Sequence, residues 1–191
     1  MRPYYAIYST FLQRAFDEVI HDICGQNLPV TFCIDRAGVS GSDGETHQGV
    51  FDLSYLSMIP NLTVAIPKNI AEFRLMLRES AHMNGPLAIR YPREGTEGEA
   101  GTVDIGKFEV LYSTMSDIVI FAAGERCLAL ARGVIEKAES EGIGVTLVNA
   151  RFAKPLDTEM LDARGEKYVI TIEDNVLIGG IGEAIAQYLC N

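Results

Sequence analysis

Short apolar runs alternate with amphipathic segments along the first half of the chain. Four runs rich in branched and aromatic side chains predict strands, and they span residues 4–8, 30–34, 62–66 and 87–91. Residues 11–24 repeat apolar side chains at spacings of three and four, which predicts a helix with one buried face. Residues 70–81 predict a second helix. Strand and helix therefore alternate.

Residues 94–102 interrupt this pattern, because they are polar, acidic and rich in glycine, as is typical of a linker. The alternation then resumes, with strands predicted at residues 105–111, 117–123, 145–149 and 168–172 and helices at residues 127–141 and 183–189. We expect an α/β fold of two small domains, each with a mostly parallel sheet flanked by helices. The predicted division is residues 1–94, a linker at 95–104, and residues 105–191.

Basic and phenolic residues stand where three predicted strands end. Tyr8 ends the first strand, Arg36 follows the second, and Arg93 follows the fourth. Because the carboxyl ends of parallel strands share one edge, where α/β sheets bind ligands, these side chains are expected to meet. Two guanidiniums and a phenol suit a phosphate or carboxylate. The alternative is that the arginines pair with Asp35 or Glu94 as surface ions.

The loop at residues 38–49 contains four glycines, which allow a ligand to approach the backbone closely. Asp43 and His47 within it are candidates for proton transfer, because imidazole titrates near neutrality. The alternative is a flexible surface loop with a solvated histidine. A metal site built from Asp43, Glu45 and His47 is less favoured, because no second cluster supplies the remaining ligands.

The amino-acid composition limits the kinds of molecule that this protein is expected to bind. The formal net charge of −10 disfavours nucleic acid and anionic membranes, whereas a small anionic substrate remains compatible with a few focused arginines. The four cysteines form no C-x-x-C pair, which favours a reducing cytoplasm. No run approaches the roughly 18 apolar residues of a membrane span. Residues 180–182, Gly-Ile-Gly, lack the third glycine of a dinucleotide fingerprint and favour a tight turn that opens a helix.

Four motifs, in order and spacing, resemble the 1-deoxy-D-xylulose-5-phosphate synthase family of thiamine-diphosphate enzymes. They are Y-S-T-F-L-Q-R-A at residues 8–15, I-D-R-A-G at 34–38, D-G-x-T-H-Q-G-x-F-D at 43–52 and R-Y-P-R at 90–93. The likeness continues through residues 151–157, 173–175 and 179–180 and so covers essentially the whole chain. The wording H-Q-G-x-F-D distinguishes it from transketolase itself and from the beta subunits of 2-oxo-acid dehydrogenases.

The resemblance implies part of a transketolase-like pyrimidine-binding domain, followed by a transketolase C-terminal domain. It implies a transferase that decarboxylates pyruvate and adds the two-carbon unit to glyceraldehyde 3-phosphate, in isoprenoid and thiamine precursor biosynthesis. The cofactors implied for the complete enzyme are thiamine diphosphate and Mg²⁺. A cytoplasmic homodimer is expected, acting on small molecules.

The resemblance also implies roles for single residues. Tyr8, Arg36 and Arg93 would hold the phosphate of the aldehyde acceptor, which agrees with their place at the strand ends. Phe11 would stack on the aminopyrimidine of the cofactor.

Three further residues, Arg14, Asp43 and His47, would line the substrate pocket. Asp43 and His47 are the candidate catalytic residues, with His47 handling protons. No metal ligand is predicted within this chain.

The family's cofactor-activating glutamate corresponds to a position before residue 1, as does the diphosphate-binding domain with its magnesium ligands. The family's last strand and helix would follow residue 191. We therefore expect a partial enzyme that alone neither binds thiamine diphosphate tightly nor turns over. The alternatives are a free-standing phosphate-binding module and a separate subunit of a split transketolase-like enzyme.

Overall fold

Two sheets form the framework of the protein in a computed structural model that describes residues 1–114 and 116–190. The first sheet has the strand order β1-β2-β4-β3-β8, and the second has the order β5-β7-β6-β9. The strands of the first sheet are β1 (Tyr4–Tyr8), β2 (Thr31–Asp35), β3 (Thr63–Ala65), β4 (Leu87–Arg90) and β8 (Phe152–Lys154). Those of the second are β5 (Glu109–Ser113), β6 (Ile118–Ala122), β7 (Thr146–Asn149) and β9 (Tyr168–Ile172).

Helices of very different length connect these strands. They are α1 (Ser9–Leu12), α2 (Phe16–Glu18), α3 (Asp52–Ser57), α4 (Ile70–Ser80), α5 (Glu125–Ser140), α6 (Thr158–Asp162) and α7 (Ile181–Leu189). The helix predicted at residues 11–24 is a composite, in which a 3₁₀ turn (Gln13–Ala15) separates α1 from α2 and a π-helical segment (Val19–Cys24) follows. The short helices α3 and α6 were not predicted, because five or six residues are too few to show a periodicity.

The predicted α/β architecture is confirmed. Strands β1 to β4 are all parallel, and in the second sheet β6 pairs in parallel with β7 and β9. Each sheet also has one antiparallel edge strand, β8 in the first and β5 in the second. Both sheets are thus mostly parallel, with helices on their faces.

Strand β8 joins the two halves of the chain. It lies after the linker in sequence but pairs with β3 of the first sheet. Its three residues carry no detectable pattern, so it was missed. The prediction that a strand spans residues 105–111 is wrong in position, because a turn at Gly106 (φ +78°) delays β5 until Glu109.

The core explains why the strand segments lack polar alternation. Strands β4 and β7 are buried along their entire length, as expected for parallel strands covered on both faces. One apolar cluster includes Val64 of the first sheet, Phe121 of the second, and Phe152 of β8. The two sheets are therefore packed together through a common core.

Among residues 1–114 and 116–190, no helix has the length and apolar character that a bilayer crossing requires.

Candidate functional site

The carboxyl ends of β1, β2 and β4 meet at one edge of the first sheet. In the parallel register Tyr8 lies opposite Asp35, and Ile34 lies opposite Arg90. Arg36, directly after β2, places its guanidinium carbon 3.9 Å from the centroid of the Tyr8 ring. This is the distance of a cation–π contact.

Asp43 joins the two predicted arginines. Its Oδ2 accepts a hydrogen bond from Arg36 Nε at 2.8 Å, and its Oδ1 accepts one from Arg93 Nη1 at 2.5 Å. The structure therefore brings Tyr8, Arg36, Asp43 and Arg93 together, and we call these four residues the arginine–tyrosine cluster. Its members come from the ends of β1, β2 and β4 and from one loop.

The ion pairs of the arginines match one part of the surface-ion alternative but not the other. Arg36 does pair with Asp35 at 2.5 Å, as the surface-ion alternative expects, but among the described residues Arg93 pairs with Asp43 rather than with Glu94. Burial lowers the pKa of the Arg36 guanidinium, yet Asp35 and Asp43 outweigh it and raise that pKa above its ordinary value. With Asp35 counted beside the cluster, two guanidiniums face two carboxylates, and their formal charges cancel.

An aromatic pair extends from the cluster toward solvent. Phe11 in α1 stacks on Tyr8 with ring centroids 5.3 Å apart and 18° between the planes, and its edge meets the His47 ring at 5.4 Å. Phe11 remains 46% exposed. An exposed aromatic face beside the arginine–tyrosine cluster is suited to stacking on a planar heterocycle.

His47 ends a 3₁₀ turn, Glu45–His47, within the glycine-rich loop. Its Nδ1 lies 2.8 Å from Thr46 Oγ1, and its ring is partly exposed beside Phe11. Nε2 is therefore the nitrogen left for a ligand at the edge of the aromatic pair.

Arg14 stands apart from the other predicted residues. It lies in the 3₁₀ turn after α1, its side chain is exposed, and it takes part in none of the hydrogen bonds or ion pairs among the described residues. Its predicted place in the substrate pocket stays a prediction.

The glycine-rich loop is braced from within. Gly38 and Gly49 form a reciprocal backbone bridge at 2.7 and 2.8 Å, and the side chain of Gln48 bonds both the N–H and the C=O of Ser40. A side chain at Gly49 would bring its Cβ within 2.3 Å of the Arg36 carbonyl oxygen. The loop therefore holds Asp43 in a defined place, unlike a flexible surface loop.

Buried charged residues lie at the same strand ends as the cluster, and no sequence pattern marked them as site residues. Asp52 is fully buried and accepts hydrogen bonds from Ser9 Oγ at 3.1 Å and Arg90 Nε at 3.1 Å. One sequence feature could have revealed them. Arg90 ends the otherwise apolar strand β4, and an arginine buried there requires a counterion nearby.

The turn that opens α7 holds a carboxylate instead of a phosphate. Glu173 accepts hydrogen bonds from the backbone N–H groups of Ile181 (3.0 Å) and Gly182 (2.9 Å). A Cβ at Gly180 would lie 2.4 Å from Glu173 Oε1. The glycines therefore make room for an internal cap, which agrees with the tight-turn interpretation. Within the described part of the chain, no three acidic, histidine or cysteine side chains are grouped to hold a metal ion.

Two family models match this chain and together cover nearly all of it. Transketolase, pyrimidine binding domain, matches residues 1–97, and Transketolase, C-terminal domain, matches residues 106–191. The first match covers the strand ends and the loop that form the arginine–tyrosine cluster.

Three curated relatives are much longer than this chain. A 1-deoxy-D-xylulose-5-phosphate synthase of Carboxydothermus hydrogenoformans is 50% identical over 194 residues, which cover 98% of this chain and 31% of the relative. The synthases of Crocosphaera subtropica and Clostridium perfringens are 48% and 44% identical, each over 99% of this chain and 31% of the relative. The chain thus spans about a third of their length.

A solved structure agrees with the fold. It is described as a split gene transketolase in an inactive beta4 tetramer, and it matches with a TM-score of 0.88 and 30% identity over 98% of this chain and 62% of that chain. The chain therefore belongs to the transketolase family, and the resemblance to 1-deoxy-D-xylulose-5-phosphate synthases predicted from its motifs is confirmed.

Proposed function

We propose that this chain forms the acceptor-phosphate site of a thiamine-diphosphate-dependent transferase, one that condenses pyruvate with glyceraldehyde 3-phosphate and releases CO₂. One observation carries the proposal. Arg36 and Arg93, which come from different strand ends, already share the two oxygens of one anion, the Asp43 carboxylate. Two guanidiniums at that separation can equally share the oxygens of a phosphate.

In this proposal, Tyr8 completes the phosphate site. Its ring lies against Arg36 at 3.9 Å, and its hydroxyl is a further donor at the same edge of the sheet. Asp43 must move aside or rotate when the phosphate enters, because two anions would otherwise compete for the same N–H groups. The phosphate thus replaces a carboxylate, and neither guanidinium is left unpaired.

Phe11 fits the implied cofactor, because its exposed ring can stack on the aminopyrimidine of thiamine diphosphate. Thiamine diphosphate supplies the electron sink that makes decarboxylation of pyruvate possible. The diphosphate and its Mg²⁺ need ligands beyond the residues described here. We therefore propose that this chain alone binds the cofactor weakly and is inactive.

His47 is the proposed proton donor and acceptor at the aldehyde oxygen. Imidazole can take up or release a proton near neutral pH. The ring of His47 lies beside Phe11, so it borders both the cofactor position and the phosphate site. Arg14 and Asp43 are proposed to line the same pocket.

A second candidate is a separate subunit of a split transketolase-like enzyme. It is favoured by the similar structure described as a split gene transketolase. A free-standing phosphate-binding module is less favoured, because it would not need the aromatic face of Phe11 or the imidazole of His47.

The remaining expectations are part of the same proposal. The chain is proposed to act as a homodimer in the cytoplasm, within isoprenoid and thiamine precursor biosynthesis. Its four free cysteines agree with a reducing compartment. Residues 1–94 and 105–191 are proposed as its two domains.

The test is calorimetric titration of this chain with glycerol 3-phosphate, with glycerol as the uncharged comparison. The variant Arg93→Ala should weaken phosphate binding by about 1.5–3 kcal/mol, the range for hydrogen bonds to charged groups. The matched control is Arg74→Ala, which removes an exposed arginine that pairs with Glu97 away from the cluster.

The proposed phosphate site is wrong if both variants bind like the parent chain, or if glycerol binds as well as its phosphate. A parallel titration with thiamine diphosphate should show weak binding or none. Tight binding there would contradict the proposed need for further ligands.

A further inference from the structure

A largely buried network of polar and charged side chains links the ends of β1 and β4 to Asp174, which follows β9 of the second sheet. We call Ser9, Asp52, Arg90 and Asp174 the Arg90 network. The side chains of Asp52 and Arg90 are 0% and 2% exposed. Asp52 accepts from Ser9 Oγ and from Arg90 Nε, and Asp174 Oδ1 accepts from Arg90 Nη1 at 2.8 Å. Charges this deeply buried must be paired, which ties these four side chains together.

The network connects two of the three strand ends that carry the proposed phosphate-binding groups, those of β1 and β4. Ser9 follows Tyr8 directly at the end of β1. Arg90 ends β4, three positions before Arg93. The carboxylate of Asp52 therefore holds the ends of β1 and β4 at a defined separation.

Asp174 touches the loop as well as the strand. Its Oδ2 lies so close to Gly38 that a Cβ on this glycine would be only 1.8 Å away. Gly38 has φ +74° and pairs with Gly49 at the base of the loop that carries Asp43 and His47. The Asp174 carboxylate of the second domain thus contacts both the end of β4, at Arg90, and the base of the glycine-rich loop, at Gly38.

The residues on either side of Asp174 in the sequence are held by hydrogen bonds, which restrict the position of its backbone. Glu173 caps the first turn of α7, and Asn175 Nδ2 donates to Ser54 Oγ at 2.8 Å. Arg90 Nη2 has no hydrogen-bond partner among the described residues, so the guanidinium is oriented by Asp52 and Asp174. Loss of either carboxylate would release it.

We propose that Asp174 is a positioning residue, through which the second domain sets the geometry of the phosphate site. It holds Arg90, and through Arg90 the segment that carries Arg93, while its contact with Gly38 fixes the base of the Asp43 loop. Asp174 does not touch the phosphate itself. The inference rests on the proposed function, because it assumes that Arg36 and Arg93 bind phosphate.

The test compares Asp174→Asn with Glu109→Gln. Glu109 lies in another charged contact between the domains, its ion pair with Lys68 at 2.6 Å, and it forms no hydrogen bond or ion pair with Arg90 among the described residues. With inorganic phosphate as the probe, Asp174→Asn should weaken binding about threefold to thirtyfold, the range of coupling through packed networks. Glu109→Gln should leave the affinity within about twofold of the parent.

A spectroscopic signature separates positioning from general loosening. The Nε–H signals of Arg36 and Arg93 in ¹⁵N-edited spectra should shift in Asp174→Asn and stay in place in Glu109→Gln. If Asp174→Asn does not fold, Asp174→Glu serves instead, because it keeps the negative charge but moves the carboxylate by one methylene relative to Arg90 Nη1 and Gly38.

Each outcome is decisive. The inference is overturned if Asp174→Asn binds phosphate like the parent, or if both variants lose affinity equally. If Arg93→Ala also leaves phosphate binding unchanged, the proposed function itself fails. If Arg93→Ala abolishes binding while Asp174→Asn does not change it, only the positioning role fails.

Discussion

Asp43 is the residue that determines the resting state of the cluster. It is the counterion shared by Arg36 and Arg93, and its side chain is only 13% exposed. The contacts that support the proposed anion site also fill it with an internal carboxylate. The proposed phosphate binding therefore depends on how readily Asp43 leaves the two guanidiniums.

The variant Asp43→Asn should raise the affinity for glycerol 3-phosphate about fivefold to tenfold, or about 1–1.4 kcal/mol. The reason is the removal of a negative charge close to the incoming anion. Calorimetric titration beside the parent chain measures the change. Weaker binding by Asp43→Asn would mean that Asp43 helps to hold the ligand rather than competing with it.

At the scale of elements, the glycine-rich loop works as a braced unit. The backbone bridge of Gly38 with Gly49 closes it, Gln48 spans it, and Gly49 packs against the carbonyl oxygen of Arg36. The pattern of four glycines predicted close approach of a backbone. The structure adds that at Gly49 the approaching group is the protein's own strand end.

Gly49→Ala should therefore destabilise the fold by about 2–4 kcal/mol, because its Cβ meets backbone and cannot be relieved by a side-chain rotation. Gly41→Ala in the same loop is the matched control, since a Cβ there meets nothing within 4 Å. Chemical denaturation of both variants measures the difference. Equal stabilities would contradict the close packing at Gly49.

At the scale of the whole molecule, charged contacts join the two domains. Lys68 after β3 donates to Glu109 of β5 at 2.6 Å, and Asn149 and Arg151 lie on the same carboxylate. Burial acts to raise the pKa of Glu109, but these partners outweigh it and hold the pKa below its ordinary value. The ionised form is thus favoured in the folded state.

A lowered folded-state pKa makes this contact sensitive to acid. Its contribution to stability is fully present above the unfolded pKa of about 4.3 and is lost as the pH falls through the lower folded value. Over that window the free energy of unfolding should fall less steeply in Glu109→Gln than in the parent. Denaturation at a series of pH values checks this. Parallel curves would show that Glu109 gains nothing from its partners.

The sequence alone led to the fold class and to most of the site. Tyr8, Arg36 and Arg93 could be assigned to one edge because periodicity locates strand ends and parallel strands bring those ends together. His47 was a candidate from the loop pattern as well as from the family motifs, whereas Phe11 came from the motifs alone, and the structure places their rings in contact. Arg14 came from the same motifs, but among the described residues no hydrogen bond or ion pair links it to the cluster.

Only the tertiary structure decided which distant residues and strands contact the site residues and the strands that carry them. Asp43 between the arginines, β8 beside β3, and Asp174 on an arginine 84 positions away depend on how distant segments pack. Periodicity and motifs report what each segment does locally, such as which face is buried and where a strand ends. The choice of counterion is a property of three-dimensional neighbours, and no local pattern encodes it.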